Sequence, residues 1–263
     1  MKSVVILGAG NVAFHLTRAL IENTIHVKQI YNRTIGKAKE IADAHNIRYT
    51  DQISELDKAD LYIISSSDSS IKEISYHIPY EDALVVHTSG SMPIETLKGK
   101  YRKGVLYPLQ TFTKQRKLNY LEIPFFIETE NTEDAEKLEK LIRKVTNEVY
   151  RTNAEQRLKL QLSAIWVCNF VNHLYSIGEE ICKEVNLDFD ILRPLIEETS
   201  KKAQVLSPDQ AQTGPAKRND LIVIEKHLNI IQDDKLNLVY KYLSQRISAK
   251  FNGTSFDDSE LSE

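Results

Sequence analysis

Val4-Val5-Ile6-Leu7-Gly8-Ala9-Gly10-Asn11-Val12-Ala13 stands almost at the N-terminus. Its first four residues are an unbroken apolar run, which suits a strand buried on both faces of a parallel sheet. Two glycines follow, and then a helical pattern over Val12–Glu22. Each position has a physical task. Gly8 permits the tight turn from strand to helix. Gly10 lacks a Cβ, so a pyrophosphate can approach the backbone. Ala13 is small enough for close packing of helix on strand. The unpaired amides that start at Asn11 and Val12, together with the helix dipole, favour phosphate. The chain has only nine glycines, and two of them sit in this turn. A second strand follows at the spacing of a βαβ unit, so dinucleotide binding is expected here.

The end of that second strand selects between dinucleotides. An NAD site places Asp or Glu about 20 residues after the glycines, on the adenosine ribose. The stretch here is Tyr31-Asn32-Arg33-Thr34, with Lys37 just inside the next helix. No carboxylate stands there to repel a 2′-phosphate. Arg33 offers a planar fork, Thr34 a hydroxyl and Lys37 a charge, with Asn32 beside them. The expected cofactor is NADP. The missing acid also argues against an S-adenosylmethionine methyltransferase.

Working outward, short apolar runs alternate with helical patterns through residue 152, the signature of an α/β, Rossmann-type, mostly parallel sheet covered by helices. Strands are expected at Val4–Leu7, Val27–Tyr31, Leu61–Ser65, Leu84–His87, Gly104–Tyr107, Pro124–Ile127 and Val149–Arg151. Helices are expected at Val12–Glu22, Ile35–His45, Ile71–His77 and Glu133–Lys144. Beyond Thr152 only helical periodicity remains. A long helix over Ala154–Val185 is followed by helices at Asp188–Ala203, Leu221–Ile231 and Lys235–Phe251. A loop over Ser207–Asp220 is broken by Pro208 and by Gly214-Pro215. The expected organisation is a dinucleotide-binding domain over 1–152, an all-helical C-terminal domain over 153–251 for dimerisation and substrate, and a disordered acidic tail over 252–263.

Composition excludes several partners. Of 263 residues, 41% are hydrophobic and 27% charged, ordinary values for a soluble globular protein. Basic and acidic residues number 34 and 37, which gives no electrostatic case for nucleic acid or a membrane surface. No signal peptide is expected, because the first apolar run is short and meets glycines at once. Leu162–Ile177, the most apolar stretch, is interrupted by Ser163, Asn169, Asn172, His173 and Ser176, and falls short of the roughly 20 apolar residues of a spanning helix. A cytoplasmic protein is expected. Cys168 and Cys182 lie 14 residues apart on one helix, about 21 Å by helical rise, too far for a disulfide. No metal-ligand spacing surrounds them, and no metal is expected.

Leu7-Gly8-Ala9-Gly10-Asn11-Val12-Ala13 and Tyr31-Asn32-Arg33-Thr34 resemble the N-terminus of the phosphogluconate dehydrogenase superfamily, which includes ketopantoate reductase, pyrroline-carboxylate reductase and the deazaflavin-dependent NADP reductases. Four later segments resemble a narrower group more closely. They are His87-Thr88-Ser89-Gly90-Ser91, Tyr107-Pro108-Leu109-Gln110-Thr111-Phe112, Asn169-Phe170-Val171-Asn172-His173-Leu174-Tyr175 and Thr213-Gly214-Pro215-Ala216-Lys217-Arg218-Asn219-Asp220. That group comprises bacterial Rossmann-like proteins with a C-terminal helical domain of unknown function, often labelled NADP oxidoreductases. The resemblance implies hydride chemistry with NADP, but no settled reaction. Hydroxy-acid dehydrogenases of the superfamily carry a lysine and an asparagine one turn apart on the long helix. Here Asn169 is present, while the position one turn earlier is Ile165 and Lys159 lies ten residues back.

The candidate site follows from where these segments fall. Ligands of open α/β sheets bind beyond the carboxyl ends of the strands. Ser65-Ser66-Ser67-Asp68 ends one strand, and this loop is expected along the cofactor's pyrophosphate or nicotinamide ribose, or forms a polar turn into the next helix. His87 ends the next strand and could serve as general acid or bond a neighbouring backbone. Tyr107 and Gln110 could reach substrate or shape a junction. Asn169 and His173 interrupt an apolar helix face and need partners, either ligand or protein. Lys217 and Arg218 could clamp an anion, with Asp220 capping the next helix. The expected activity is an NADP(H)-dependent oxidoreductase acting on a small carbonyl or imine metabolite, in a homodimer formed mainly by residues after Asn153. A catalytically silent dinucleotide sensor and a deazaflavin-dependent NADP reductase are the alternatives.

Overall fold

The computed structural model describes residues 1–253 and 256. One eight-stranded sheet has the order β3-β2-β1-β4-β5-β6-β7-β8. The strands are β1 (Ser3–Leu7), β2 (His26–Tyr31), β3 (Arg48–Thr50), β4 (Leu61–Ile64), β5 (Leu84–His87), β6 (Arg102–Pro108), β7 (Phe125–Thr129) and β8 (Val149–Arg151). Every pairing is parallel except β6 with β7. Helices α1 (Asn11–Glu22), α2 (Ile35–Asp43), α3 (Asp68–Tyr76) and α4 (Thr132–Ile142) provide crossovers between strands. This is the Rossmann-type, mostly parallel sheet that the alternating pattern implies.

The continuous apolar runs are buried on both faces because successive side chains point to opposite sides. Val4, Ile6, Leu61, Ile63, Leu84 and Val86 pack toward α1 and α4, through Leu16, Leu20, Leu138 and Leu141. Val5, Leu7, Tyr62, Ile64 and Val85 pack on the other face against Ile71 and Ile74 of α3. Register aligns the carboxyl ends: Leu7 lies opposite both Tyr31 and Ile64, and Ile64 opposite His87. The loops after β1, β2, β4 and β5 therefore stand in a row along one edge of the sheet.

After β8 the chain is helical. Helix α5 (Ala154–Ala164), a π-helical segment Ile165–Phe170 and α6 (Val171–Glu184) follow one another without a break. Then come α7 (Arg193–Val205), the short α8 (Pro208–Ala211), α9 (Leu221–Ile230) and α10 (Asp234–Asn252). The loop over 207–220 thus contains a helix, which Ser207 and Gln210 close with a capping box. Asp220 accepts from the Val223 amide and caps α9. Helix α10 ends at Gly253, in the left-handed conformation that glycine tolerates. The expected disordered tail falls, apart from residues 252, 253 and 256, outside the described residues.

The chain divides into two compact units, Met1–Tyr175 and the residues from Ser176 onward. Residue 152 marks the change of pattern, yet the first compact unit runs on through α5. Arg157 ties α5 to the sheet: it is 1% exposed, its Nη1 pairs with Glu128 on β7 and its Nη2 donates to the Met92 carbonyl at 2.7 Å. In the second unit the buried core is small: Ala216, Ile224 and Phe256, flanked by Leu221, Leu228, Tyr240 and Ile247. Cys168 and Cys182 are both free thiols. No helix of the described residues is long and apolar enough to cross a membrane.

Candidate functional site

The row of strand ends forms one cavity of about 500 Å³. At its centre the chain turns from β1 into α1. Gly8 has φ +131°, and a Cβ there would lie 2.0 Å from the Ser65 carbonyl oxygen, so only glycine fits. Gly10 faces open space, with nothing within 4 Å of where a Cβ would stand. No side chain caps α1, and its first turn holds no acidic residue. Amide donors and a positive helix end are thus left facing the cavity floor. Asn11 lines the same wall and donates from Nδ2 to the Phe112 carbonyl at 2.9 Å.

At one end the cavity is basic. Arg33, Thr34 and Lys37 line it, all exposed, and neither cation is in an ion pair among the described residues. Asn32 donates from Nδ2 to the Thr34 carbonyl at 3.0 Å and holds the turn that presents them. Helix α2 begins here too, with no side-chain cap and no acid in its first turn. Burial pushes the Tyr31 phenol up, while the Arg33 charge works against it.

The middle is rich in hydroxyls. Ser65 is buried and accepts from Thr88 at 3.4 Å. Ser70 donates to the Ser66 hydroxyl at 2.9 Å. Asp68, the one carboxylate among the lining residues, accepts from the Ser91 hydroxyl at 2.7 Å. Ser89, Gly90, Tyr107 and Gln161 close the far end.

A second cavity, of about 670 Å³, adjoins this end and shares Tyr107 and Gln161 with it. Its walls come from the segment after β6, with Leu109, Gln110 and Thr111, and from α5 and the π-helical segment, with Leu160, Ser163, Ile165, Val167, Cys168 and Asn169. Among the described residues no aspartate, glutamate, lysine, arginine or histidine lines it. Gln110 is half committed, since its Oε1 accepts from the Thr111 amide at 2.8 Å. Asn169 sits inside the π-helical turn, a departure from α geometry that is frequent at functional sites.

The structure thus brings Gly8, Gly10, Asn11, Val12, Asn32, Arg33, Thr34, Lys37, Ser65, Ser66 and Tyr107 to the first cavity, and Tyr107, Gln110 and Asn169 to the second. His87 is not at either wall. It is fully buried, its Nδ1 accepts from the Ser89 amide at 3.2 Å, and its Nε2 meets no hydrogen-bond geometry with a partner among the described residues. Burial, helped by the Arg157 charge, lowers its pKa to about 4 against the weaker pull of the Pro93 carbonyl and Asp68. It is neutral at pH 7, with no proton on offer at the cavity. His173 is exposed on α6. Lys217 donates to the Gln212 carbonyl at 2.7 Å and lies 4.8 Å over the Phe251 ring, so its charge is already engaged within the second unit. Arg218 beside it is exposed. The described residues hold no group of three or more His, Cys, Asp or Glu placed to bind a metal.

Sequence reasoning missed Gln161 and the Ser89-Gly90 backbone as lining residues, whereas Asp68 belongs to the strand-end loop expected along the cofactor. Nothing marks Gln161 among the other polar positions of an amphipathic helix. Gly90 had a signal, because it follows a strand end in the row where ligands of such sheets bind.

A parallel sheet with this turn and this cleft defines a Rossmann-type protein of the oxidoreductase class. Residues 123–247 match the family model described as Domain of unknown function (DUF2520), and residues 1–77 match Shikimate / quinate 5-dehydrogenase. No curated protein matches the chain. Among solved structures, a "putative NADP oxidoreductase" from Bacteroides fragilis superposes with a TM-score of 0.88 at 42% identity, over 94% of this chain and 98% of that one. A protein from Thermotoga maritima superposes with a TM-score of 0.74 at 18% identity, over 95% and 98% of the two chains. The reductive aminase from Aspergillus terreus, in complex with NADPH and ethyl-5-oxohexanoate, shares the fold with a TM-score of 0.74 at 11% identity, over 100% of this chain and 98% of its own. The chain belongs to the family of the Bacteroides protein, in which a Rossmann-type domain is joined to the helical domain of unknown function.

Proposed function

We propose that this protein is a cytoplasmic NADP(H)-dependent oxidoreductase that acts on a small carbonyl or imine compound and works as a homodimer. One observation carries the reading: a single cleft runs from a cationic end without a carboxylate, past an uncapped helix start, to a neutral cavity. From β2 to β6 the cleft crosses four strand spacings, roughly 19 Å at about 4.8 Å each. Arg33, Thr34 and Lys37, with Asn32 shaping their turn, would hold a 2′-phosphate. Gly8, Gly10 and the amides of Asn11 and Val12 would hold the pyrophosphate. Ser65 and Ser66 would hold the ribose that follows. The label of the Bacteroides relative points the same way.

When bound, reduced nicotinamide supplies a hydride; the protein binds, orients and excludes. Gln110 and Asn169 offer amide donors to a carbonyl or imine in the second cavity. A carboxylate there would find no cation among the described lining residues to offset what hydration it gives up. The substrate end that enters is therefore uncharged. Homodimerisation is supported by the small core of the second unit beside exposed Val185, Leu195, Val205, Ile222 and Ile230, each at least 63% exposed. Such surface is characteristic of an interface.

NADPH should raise the melting temperature more than NADH at equal concentration, and uncharged ketones and imines should oxidise NADPH while 2-oxo acids do not. Equal shifts refute the cofactor assignment, and a panel inert with NADPH refutes the activity. Light scattering that returns a monomer mass at micromolar concentrations refutes the dimer.

A further inference from the structure

Tyr107 stands at the junction of the two cavities and lines both. Its ring is seated with little slack. A Cβ on Gly90 would come within 2.8 Å of the Tyr107 Cζ and 3.0 Å of its Cε2, so the absence of a side chain at 90 is what admits the phenol end. Gln161 approaches the same point from α5, its Cβ 3.1 Å from that position, and Phe126 flanks the ring at 6.4 Å between centroids. The Tyr107 hydroxyl makes no hydrogen bond among the described residues, although the ring is only partly exposed. A phenol held this firmly, with its hydroxyl unspent, is poised for something in the cleft.

The other titratable side chains are placed elsewhere or engaged. In the first cavity Arg33, Lys37 and Tyr31 belong to the β2 end, and Asp68 is tied to Ser91. In the second, Cys168 is the remaining titratable group among the described residues. Behind the ring, Arg157 is paired with Glu128, and His87 is sealed from both cavities. The far end of the cleft, beyond β5 and β6, is where the nicotinamide end of a dinucleotide anchored at Arg33 would come to rest.

We propose that Tyr107 is the proton donor of the reduction, giving its hydroxyl proton to the carbonyl oxygen or imine nitrogen of an uncharged substrate in the second cavity. This rests on the reading of the protein as an NADP(H)-dependent reductase. In the step, a hydride from the reduced nicotinamide forms a bond to the substrate carbon. The C=O or C=N π pair moves onto the heteroatom, which takes the proton as the Tyr107 O–H bond breaks. The products are the alcohol or amine, oxidised nicotinamide and a phenolate that water reprotonates through the open cleft. Burial raises the Tyr107 pKa, which keeps the proton in place at neutral pH, and the Arg157 charge works in the opposite direction, toward the phenolate.

The test compares wild type with Tyr107→Phe, which keeps the ring and its packing. A melting curve establishes that the variant folds. The wild-type-minus-variant ultraviolet difference spectrum then reports ionisation of this one phenol among twelve tyrosines. With NADP⁺ bound, the cationic nicotinamide should favour the phenolate, so the transition should appear about one to three pH units lower than in the free protein. NADPH, whose ring is neutral, should not move it that way. A transition unmoved by saturating NADP⁺, or moved equally by NADPH, overturns the assignment. In that case measured binding of NADP⁺ leaves the cofactor reading standing; absence of binding removes both. For each ketone that oxidises NADPH, the variant should lose about 10²–10⁴ in kcat, with its NADPH affinity within about twofold of wild type. Retained kcat also overturns the assignment.

Discussion

Arg157→Met tests how the helix that walls both cavities is held to the sheet. The guanidinium is 1% exposed and its partner Glu128 18% exposed, so water offers little compensation. Methionine keeps most of the stem and removes the charge. Glu128 is then a largely buried carboxylate with its cation gone, and the Met92 carbonyl loses its donor. Breaking one partner of a buried pair costs about 3–5 kcal/mol. For a chain of this size each kcal/mol lowers the melting temperature by about 2–4 °C, so a fall of roughly 6–20 °C is expected. Gln161 lies one turn further along α5, and the shared wall of the cavities should loosen with it. Thermal and denaturant unfolding followed by circular dichroism measure the loss. Arg157→Met with Glu128→Gln should recover most of it, because no unpaired charge remains. A single-variant loss under about 1 kcal/mol, or a double variant as unstable as the single, would refute the claim that this pair anchors α5.

Arg33→Ala should weaken NADPH about ten- to a hundredfold, one charge-assisted hydrogen bond of about 1.5–3 kcal/mol, and leave NADH nearly unchanged. Titration calorimetry of both cofactors decides it; equal losses would place Arg33 elsewhere than at the phosphate. Gly8→Ala should cost more than about 3 kcal/mol, since strain at a positive φ adds to contact with the Ser65 backbone; a denaturant midpoint near wild type would contradict it. His87 has a folded pKa lowered to about 4 against about 6.5 unfolded. Between those values the unfolded chain binds more protons, so stability should fall as pH drops through this window, by roughly 3 kcal/mol in all. His87→Asn should flatten that part of the profile, which unfolding curves across pH 4–7 would show.

The strands of the sheet centre were legible because burial on both faces demands uninterrupted apolar residues, as in Val4–Leu7 and Leu84–His87. Strand β3, Arg48-Tyr49-Thr50, was not, because an edge strand of three residues with two exposed side chains carries no such demand. The cationic end of the cleft was legible from what Tyr31-Asn32-Arg33-Thr34 lacks. The neutral cavity was only half so. Gln110 and Asn169 stood out as polar residues in apolar surroundings, but Gln161 and Arg157 look like any others on a helix reading Glu155-Gln156-Arg157-Leu158-Lys159. Nothing local distinguishes an arginine that is 1% exposed from its solvated neighbours, since its partner Glu128 lies 29 residues back in the chain. At His87 the second of the two readings, a bond to neighbouring backbone, is what the structure shows. A strand-end position suggested access, and the strand buried it completely.

The π-helical turn at Ile165–Phe170 changes how the long helix should be counted. Its hydrogen bonds reach five residues rather than four, so the residue one turn before Asn169 is Ala164 instead of Ile165. Neither is a lysine, and the superfamily's lysine–asparagine pair is missing under either count. Such a turn is the footprint of one surplus residue in a helix. Removing one position between 165 and 170 would let the segment relax to ordinary α geometry while Val171 and the residues after it keep nearly the direction they face, each one number earlier in the chain. Homologous chains aligned across this point without a gap will match residues that face different directions, so any residue equivalence drawn along α6 needs its phase counted from the C-terminal side of the turn.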